Sequence, residues 1–120
     1  MKKRLIIILY LLACSITAFT QDSYYIRQAR DYQRQAEYYT NQACRYDKEA
    51  SYYNRQAQGY LREAEYYSKR NKYDQAKSYQ RRAKDATDKA ESYQRRADDA
   101  RDKAMSYMRK AENALQRAKK

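Results

Sequence analysis

The chain has 120 residues, with 27 Lys and Arg against 15 Asp and Glu, 16 Tyr, one Gly, and no His, Pro or Trp. Without histidine there is no imidazole base and no His-ligated zinc, and a single glycine cannot build a phosphate-cradling loop. The length allows one domain. The high charge and scarcity of Gly and Pro are those of long helices and coiled coils. After residue 20 the only Ile, Leu or Val residues are Ile26, Leu61 and Leu115, too few for an ordinary globular core.

The N-terminus reads as an address. Lys2, Lys3 and Arg4 precede an apolar run from Leu5 to Ala13, which Ser15 to Phe19 prolongs weakly. Ala18 and Thr20 then stand at −3 and −1 of a cut before Gln21. This is the pattern of a secretory signal peptide, and the run is short for a membrane-spanning helix. Residues 1–20 are therefore expected to be removed, leaving 21–120. The stretch Leu11-Leu12-Ala13-Cys14 resembles a bacterial lipobox, which implies lipidation at Cys14 instead. Both routes place the chain outside the cytoplasm, secreted, in the periplasm or cell envelope, or anchored as an outer-membrane lipoprotein. Cleavage before Gln21 leaves Cys44 as the only cysteine, so no disulfide within one chain is expected.

From Ser23 the sequence repeats in units of 14: SYYIRQARDYQRQA, EYYTNQACRYDKEA, SYYNRQAQGYLREA, a 12-residue EYYSKRNKYDQA, KSYQRRAKDATDKA, ESYQRRADDARDKA and MSYMRKAENALQRA. Fourteen residues are two heptads. With alanine at position a, from Ala29 to Ala64 and from Ala76 to Ala118, position d is tyrosine throughout the first half. In the second half d alternates Tyr79, Ala86, Tyr93, Ala100, Tyr107 and Ala114. A 3-4 spacing sustained this long predicts a coiled-coil seam.

The short unit predicts a turn. At about 103° per residue, a 12-residue step rotates the seam by about 154°, so an unbroken helix would face its halves toward different partners. Lys69 and Arg70 favour a helix C-terminus, Asp74 favours an N-terminus, and Asn71 tolerates a left-handed conformation. The expected fold is all-α: a long antiparallel two-helix coiled-coil hairpin. Helix 1 would run over about 22–69, the turn over about 70–73 and helix 2 over about 74–119. Pairing residues whose numbers sum to about 143 sets each first-half tyrosine against an alanine, Tyr53 with Ala90 for example, and Tyr79 against Ala64.

Tyr60, Ala64, Tyr67, Tyr73, Ala76 and Ala83 resemble a tetratricopeptide helix-turn-helix over residues 60–83, and NKYDQAKSY is similar to that motif's second-helix entry. The resemblance implies the turn. It is confined to this segment, since Gln80 replaces the usual aromatic and no 34-residue tandem period follows.

Basic residues are unevenly placed. Position g of the second half reads Gln75, Arg82, Lys89, Arg96, Lys103, Lys110 and Arg117, while position f of the first half is also largely basic. First-half position g is mostly glutamine. Arg82, Lys89, Arg96, Lys103, Lys110 and Arg117 are thus candidate polyanion-binding residues. Tyr24, Tyr38, Tyr52 and Tyr66, at position c, lie over the shoulder of the seam or form an aromatic ladder for a partner. The carboxylates Asp85, Asp88, Asp98, Asp99 and Asp102 fall on the outer face, without a pocket for acid–base work. No catalytic, cofactor-binding or metal-binding residues are expected.

Three functional readings follow. The first is a non-enzymatic structural or interaction coiled coil of the envelope or exterior, which self-associates or binds a protein partner. The second is a module that binds anionic lipid, lipopolysaccharide or glycan, with nucleic acid disfavoured by the secretory address. The third is an envelope tether anchored at Cys14: the lipobox, alanine heptads and C-terminal Lys119-Lys120 are similar to the major outer-membrane lipoprotein family, whose rod has no turn.

Overall fold

A computed structural model describes residues 23–119. The expected signal peptide and Cys14 lie outside the described residues. The chain is an all-α helical hairpin built of α1, Ser23–Lys69, and α2, Tyr73–Lys119. Helix α2 begins one residue before the expected Asp74.

The turn forms where the heptad count breaks, and its hydrogen bonds show why it is stable. Asn71 has φ 61°, the left-handed conformation that ends many helices. The Lys72 amide donates to the Tyr67 carbonyl at 3.0 Å and the Asn71 amide to the Ser68 carbonyl at 3.1 Å. This bond pair satisfies carbonyls that the end of α1 would otherwise leave open. Lys72 then accepts from the Ala76 amide at 3.1 Å, which makes Tyr73 the first helical residue. The Asn71 side chain has its own partner, accepting from the Tyr73 hydroxyl at 2.9 Å. Arg70 donates to the Tyr66 carbonyl at 3.3 Å and lies 3.6 Å above the Tyr66 ring. Asp74, in the first turn of α2, complements the helix dipole.

The described residues fall into two compact units. One holds 23–42 with 99–119, and the other holds 43–98. In each, a segment of α1 packs against a segment of α2. All the a-position alanines, from Ala29 to Ala64 and from Ala76 to Ala118, are buried, as are Ala86, Ala100 and Ala114 at position d. Alanine brings two backbones close but removes little apolar surface from water, about 0.8 kcal/mol per CH₂-sized group. The d-position tyrosines are half-buried and supply the remaining area.

The first unit also buries Ile26, Gln33 and Leu115, all at position e, and Leu115 packs on Ala29 and Ala114. Thr40 and Thr87, also at e, turn their hydroxyls onto their own helices, donating to the Ala36 and Ala83 carbonyls at 2.8 and 2.9 Å. A hydroxyl satisfied by the i−4 carbonyl requires no partner across the seam.

Candidate functional site: a tyrosine stack capped by cations

Each α2 tyrosine in the seam is held between two α1 tyrosines. In the second unit, Tyr79 stacks on Tyr67 with ring centres 5.5 Å apart and planes 7° from parallel, and meets Tyr60 at 6.2 Å and 35°. Tyr93 repeats this with Tyr53, at 5.7 Å and 7°, and with Tyr46, at 6.1 Å and 34°. In the first unit Tyr107 does the same with Tyr39, at 5.7 Å and 5°, and with Tyr32, at 6.1 Å and 32°. Aromatic pairs of this kind add about 0.5–1.5 kcal/mol beyond the area they bury.

This geometry sets the register. Tyr79 between Tyr60 and Tyr67 comes level with Ala64, the residue midway between them, as the large-against-small pairing requires. Each ring faces an alanine, as the spacing predicts, but it is also longer than its own layer and reaches the tyrosines one step above and below. The alternation of Tyr and Ala at α2 position d leaves room for this, because an α2 tyrosine occupies only every second layer.

The candidate cations are all exposed and flank the tyrosine stacks of their own units, Arg82, Lys89 and Arg96 in the second and Lys103, Lys110 and Arg117 in the first. Five of them cover tyrosine rings. Arg82, Arg96 and Lys110 sit over Tyr79, Tyr93 and Tyr107, three residues earlier on their own helix, at 5.1, 5.1 and 5.0 Å from the ring centres. Lys89 and Lys103 have alanine at that place, Ala86 and Ala100, and reach across the seam to Tyr53 and Tyr39, each at 5.4 Å. Lys110 also approaches Tyr32, at 5.9 Å. A cation over a ring face at an exposed site is worth about 0.5–1 kcal/mol. Arg117 has alanine three residues before it and makes no ring contact among the described residues.

Part of this pattern was visible in the sequence, since tyrosine followed by a cation three residues later recurs every 14 residues in α2. The cross-helix contacts of Lys89 and Lys103 were not, because they depend on register. Among the described residues none of the six cations forms an ion pair. Arg34 pairs with Asp31 at 3.8 Å and Lys69 with Glu65 at 3.1 Å, both within α1.

The position-c tyrosines share this flank. Tyr24, Tyr38, Tyr52 and Tyr66 are 64%, 55%, 48% and 47% exposed. Each stands edge-on to the seam tyrosine that follows it in sequence, with centres 5.1 to 5.3 Å apart. Gln42 and Gln56 donate to the Tyr38 and Tyr52 hydroxyls at 3.0 and 2.8 Å. Tyr38 and Lys103 therefore touch one ring, that of Tyr39, and Tyr52 and Lys89 touch that of Tyr53.

Elsewhere, Asp85, Asp88, Asp98, Asp99 and Asp102 are exposed, and no group of three or more metal-ligating side chains occurs among the described residues. Cys44 is half-buried and forms no disulfide among the described residues. No described helix is long and apolar enough to cross a membrane. The chain matches no protein-family model, no curated protein and no solved structure.

Proposed function

We propose that this chain is a non-enzymatic structural or interaction hairpin that works in the cell envelope or outside the cell. The observation that carries the reading is the repeated stack of three tyrosines under its cations. The phenols and cations, the side chains with most chemical potential here, are used to fill and cover a seam. Hydrophobic association of two alanine-lined helices is otherwise weak, and the tyrosines make it specific in register. The signal-like residues 1–20 support the extracytoplasmic address. Intact-mass and N-terminal analysis of the chain made in a bacterial host, combined with fractionation, tests it. The expected product begins at Gln21, or at a lipidated Cys14 if the tether reading is right, and leaves the cytoplasm. A cytoplasmic product that retains the Leu5–Ala13 run would overturn the address.

A second reading, binding of a polyanion, is favoured by one observation: in each unit three exposed cations beside the tyrosine stack lack carboxylate partners among the described residues. Changing all six to Gln is expected to abolish salt-sensitive retention on an anionic matrix, while changing Lys77 and Lys84, on another strip of α2, reduces it less. Equal retention by the parent and the six-fold variant would remove this reading and leave the first.

A further inference from the structure

We infer that the flank of each unit docks on the surface of an anionic lipid bilayer, with Tyr24 and Tyr38 in the first and Tyr52 and Tyr66 in the second seated at the level of the headgroups. The inference rests on the polyanion reading and names its ligand.

Heptad positions follow a fixed order around a helix. On α1, position f lies beside c, c beside g, and g beside the seam. The α2 cations at g lie just across it. In the first unit this sets Tyr24 and Tyr38 between Arg27 and Arg34 on one side and Lys103, Lys110 and Arg117 on the other. In the second unit Tyr52 and Tyr66 stand between Arg55 and Arg62 and the row Arg82, Lys89 and Arg96. The same composition thus occurs in both units: an exposed tyrosine row bordered on each side by cations. Acidic groups on the flank, Asp31, Glu49, Glu63, Asp85 and Asp99, are fewer than the basic ones.

A soluble polyanion needs only the charges. It does not account for a row of exposed rings among those charges. The outer strip of α2, where Lys77, Arg81, Lys84, Arg95 and Arg109 alternate with Asp88, Glu91, Asp98, Asp102 and Glu112, is nearly neutral and contains no aromatic residue. Tyr73 is also exposed, but it stands at the turn and is bonded to Asn71. Tyrosine suits a boundary that is apolar on one side and wet on the other, because its ring and hydroxyl have opposite preferences. Lys and Arg complete the set, since long apolar stems let their charges reach lipid phosphates. The flank has no Leu, Ile or Val, so it would lie on the headgroups and not sink into the hydrocarbon. Single-stranded nucleic acid fits less well. It stacks successive bases on close aromatic platforms, whereas these tyrosines recur every 14 residues, about 21 Å along a helix.

The cation–ring contacts prepare the surface. Lys103 over Tyr39 and Lys89 over Tyr53 are held beside Tyr38 and Tyr52 through shared rings. Less side-chain freedom is then lost when both meet a bilayer.

The test uses the purified chain and three probes: vesicles of phosphatidylcholine, vesicles of phosphatidylcholine with phosphatidylglycerol, and soluble polyphosphate or single-stranded DNA. Flotation is expected to show binding to the phosphatidylglycerol vesicles at about 50 mM salt, weakened by added salt, and none to phosphatidylcholine alone. A variant with all four c-position tyrosines changed to Ser is expected to bind these vesicles about tenfold more weakly and polyphosphate unchanged. Equal vesicle binding by this variant would overturn the inference and leave the polyanion reading standing. So would tighter binding of the parent to polyphosphate or DNA than to vesicles of equal total charge. Absence of binding to every anionic probe would end both. If the variant loses helicity, the parent still decides the matter. Its tyrosine fluorescence should be quenched by lipid spin-labelled at the headgroup, and unquenched fluorescence in bound protein would overturn the inference.

Discussion

Tyr53 and Tyr93 lie with their rings 7° from parallel and 5.7 Å apart, one from each helix. Tyr46 closes the other edge of Tyr93, and Lys89 covers Tyr53. The ring of Tyr93 is thus the central contact of its stack. Tyr93→Ala is expected to cost about 1.5–3 kcal/mol, below the range for a fully buried aromatic because the side chain is half-exposed. Tyr52→Ala should cost less than about 1 kcal/mol. A double-mutant cycle between Tyr53 and Tyr93 should return a coupling of about 0.5–1.5 kcal/mol in chemical denaturation. Zero coupling would mean that the stacking adds nothing beyond area.

Ala90 is 2% exposed, with no room for a larger side chain between the helices. Ala90→Leu is expected to destabilise by about 1–3 kcal/mol through overpacking. Arg95→Leu, on the exposed outer face of the same helix, should leave the melting temperature almost unchanged. Matching losses would show that the seam runs elsewhere.

Gly59 lies within α1, and a Cβ built on it meets nothing within 4 Å. Its φ is not positive, so alanine fits the backbone as it stands. Gly59→Ala is therefore expected to stabilise the chain by about 0.5–1 kcal/mol, because the helix no longer has to restrict a glycine. A lower melting point would show that something approaches this site in solution.

Asn71 holds φ 61°, which costs an ordinary L-residue about 1–2 kcal/mol. Asn71→Val should destabilise by at least that amount, with loss of the Tyr73 contact added. Asn71→Gly should be close to neutral, since glycine adopts this conformation freely. Thermal melts of the two variants check the ordering.

A hairpin brings the far ends of α1 and α2 together. Spin labels on cysteines at positions 25 and 118, in a Cys44→Ser background, should lie within roughly 20 Å in a monomer. One unbroken helix would separate them by about 140 Å.

Much of this fold is a consequence of spacing alone. Alanine every seven residues and tyrosine at the intervening d positions fix a helix period, since only a 3.5-residue repeat keeps one stripe apolar over such lengths. The 12-residue unit fixes the turn, because the stripe would otherwise rotate away from its partner, and Asn71 is the residue there that tolerates the left-handed cap. The basic row at f of α1 beside the tyrosine row at c, and the basic row at g of α2, are likewise properties of the sequence, because neighbours on one helix surface follow from residue number; that the α2 row borders the α1 tyrosines depends on how the two helices pair. Contacts across the seam are different. Whether Lys89 covers a ring of its own helix or Tyr53 of the other depends on register and on how far a half-buried ring extends past its layer. The stacking of Tyr93 on Tyr53 and the sharing of Tyr39 by Tyr38 and Lys103 have the same origin: large rings packed between helices that alanine allows to approach closely. Local periodicity determined the elements and the turn, and the three-dimensional packing of large rings against small residues decided which cations serve the seam.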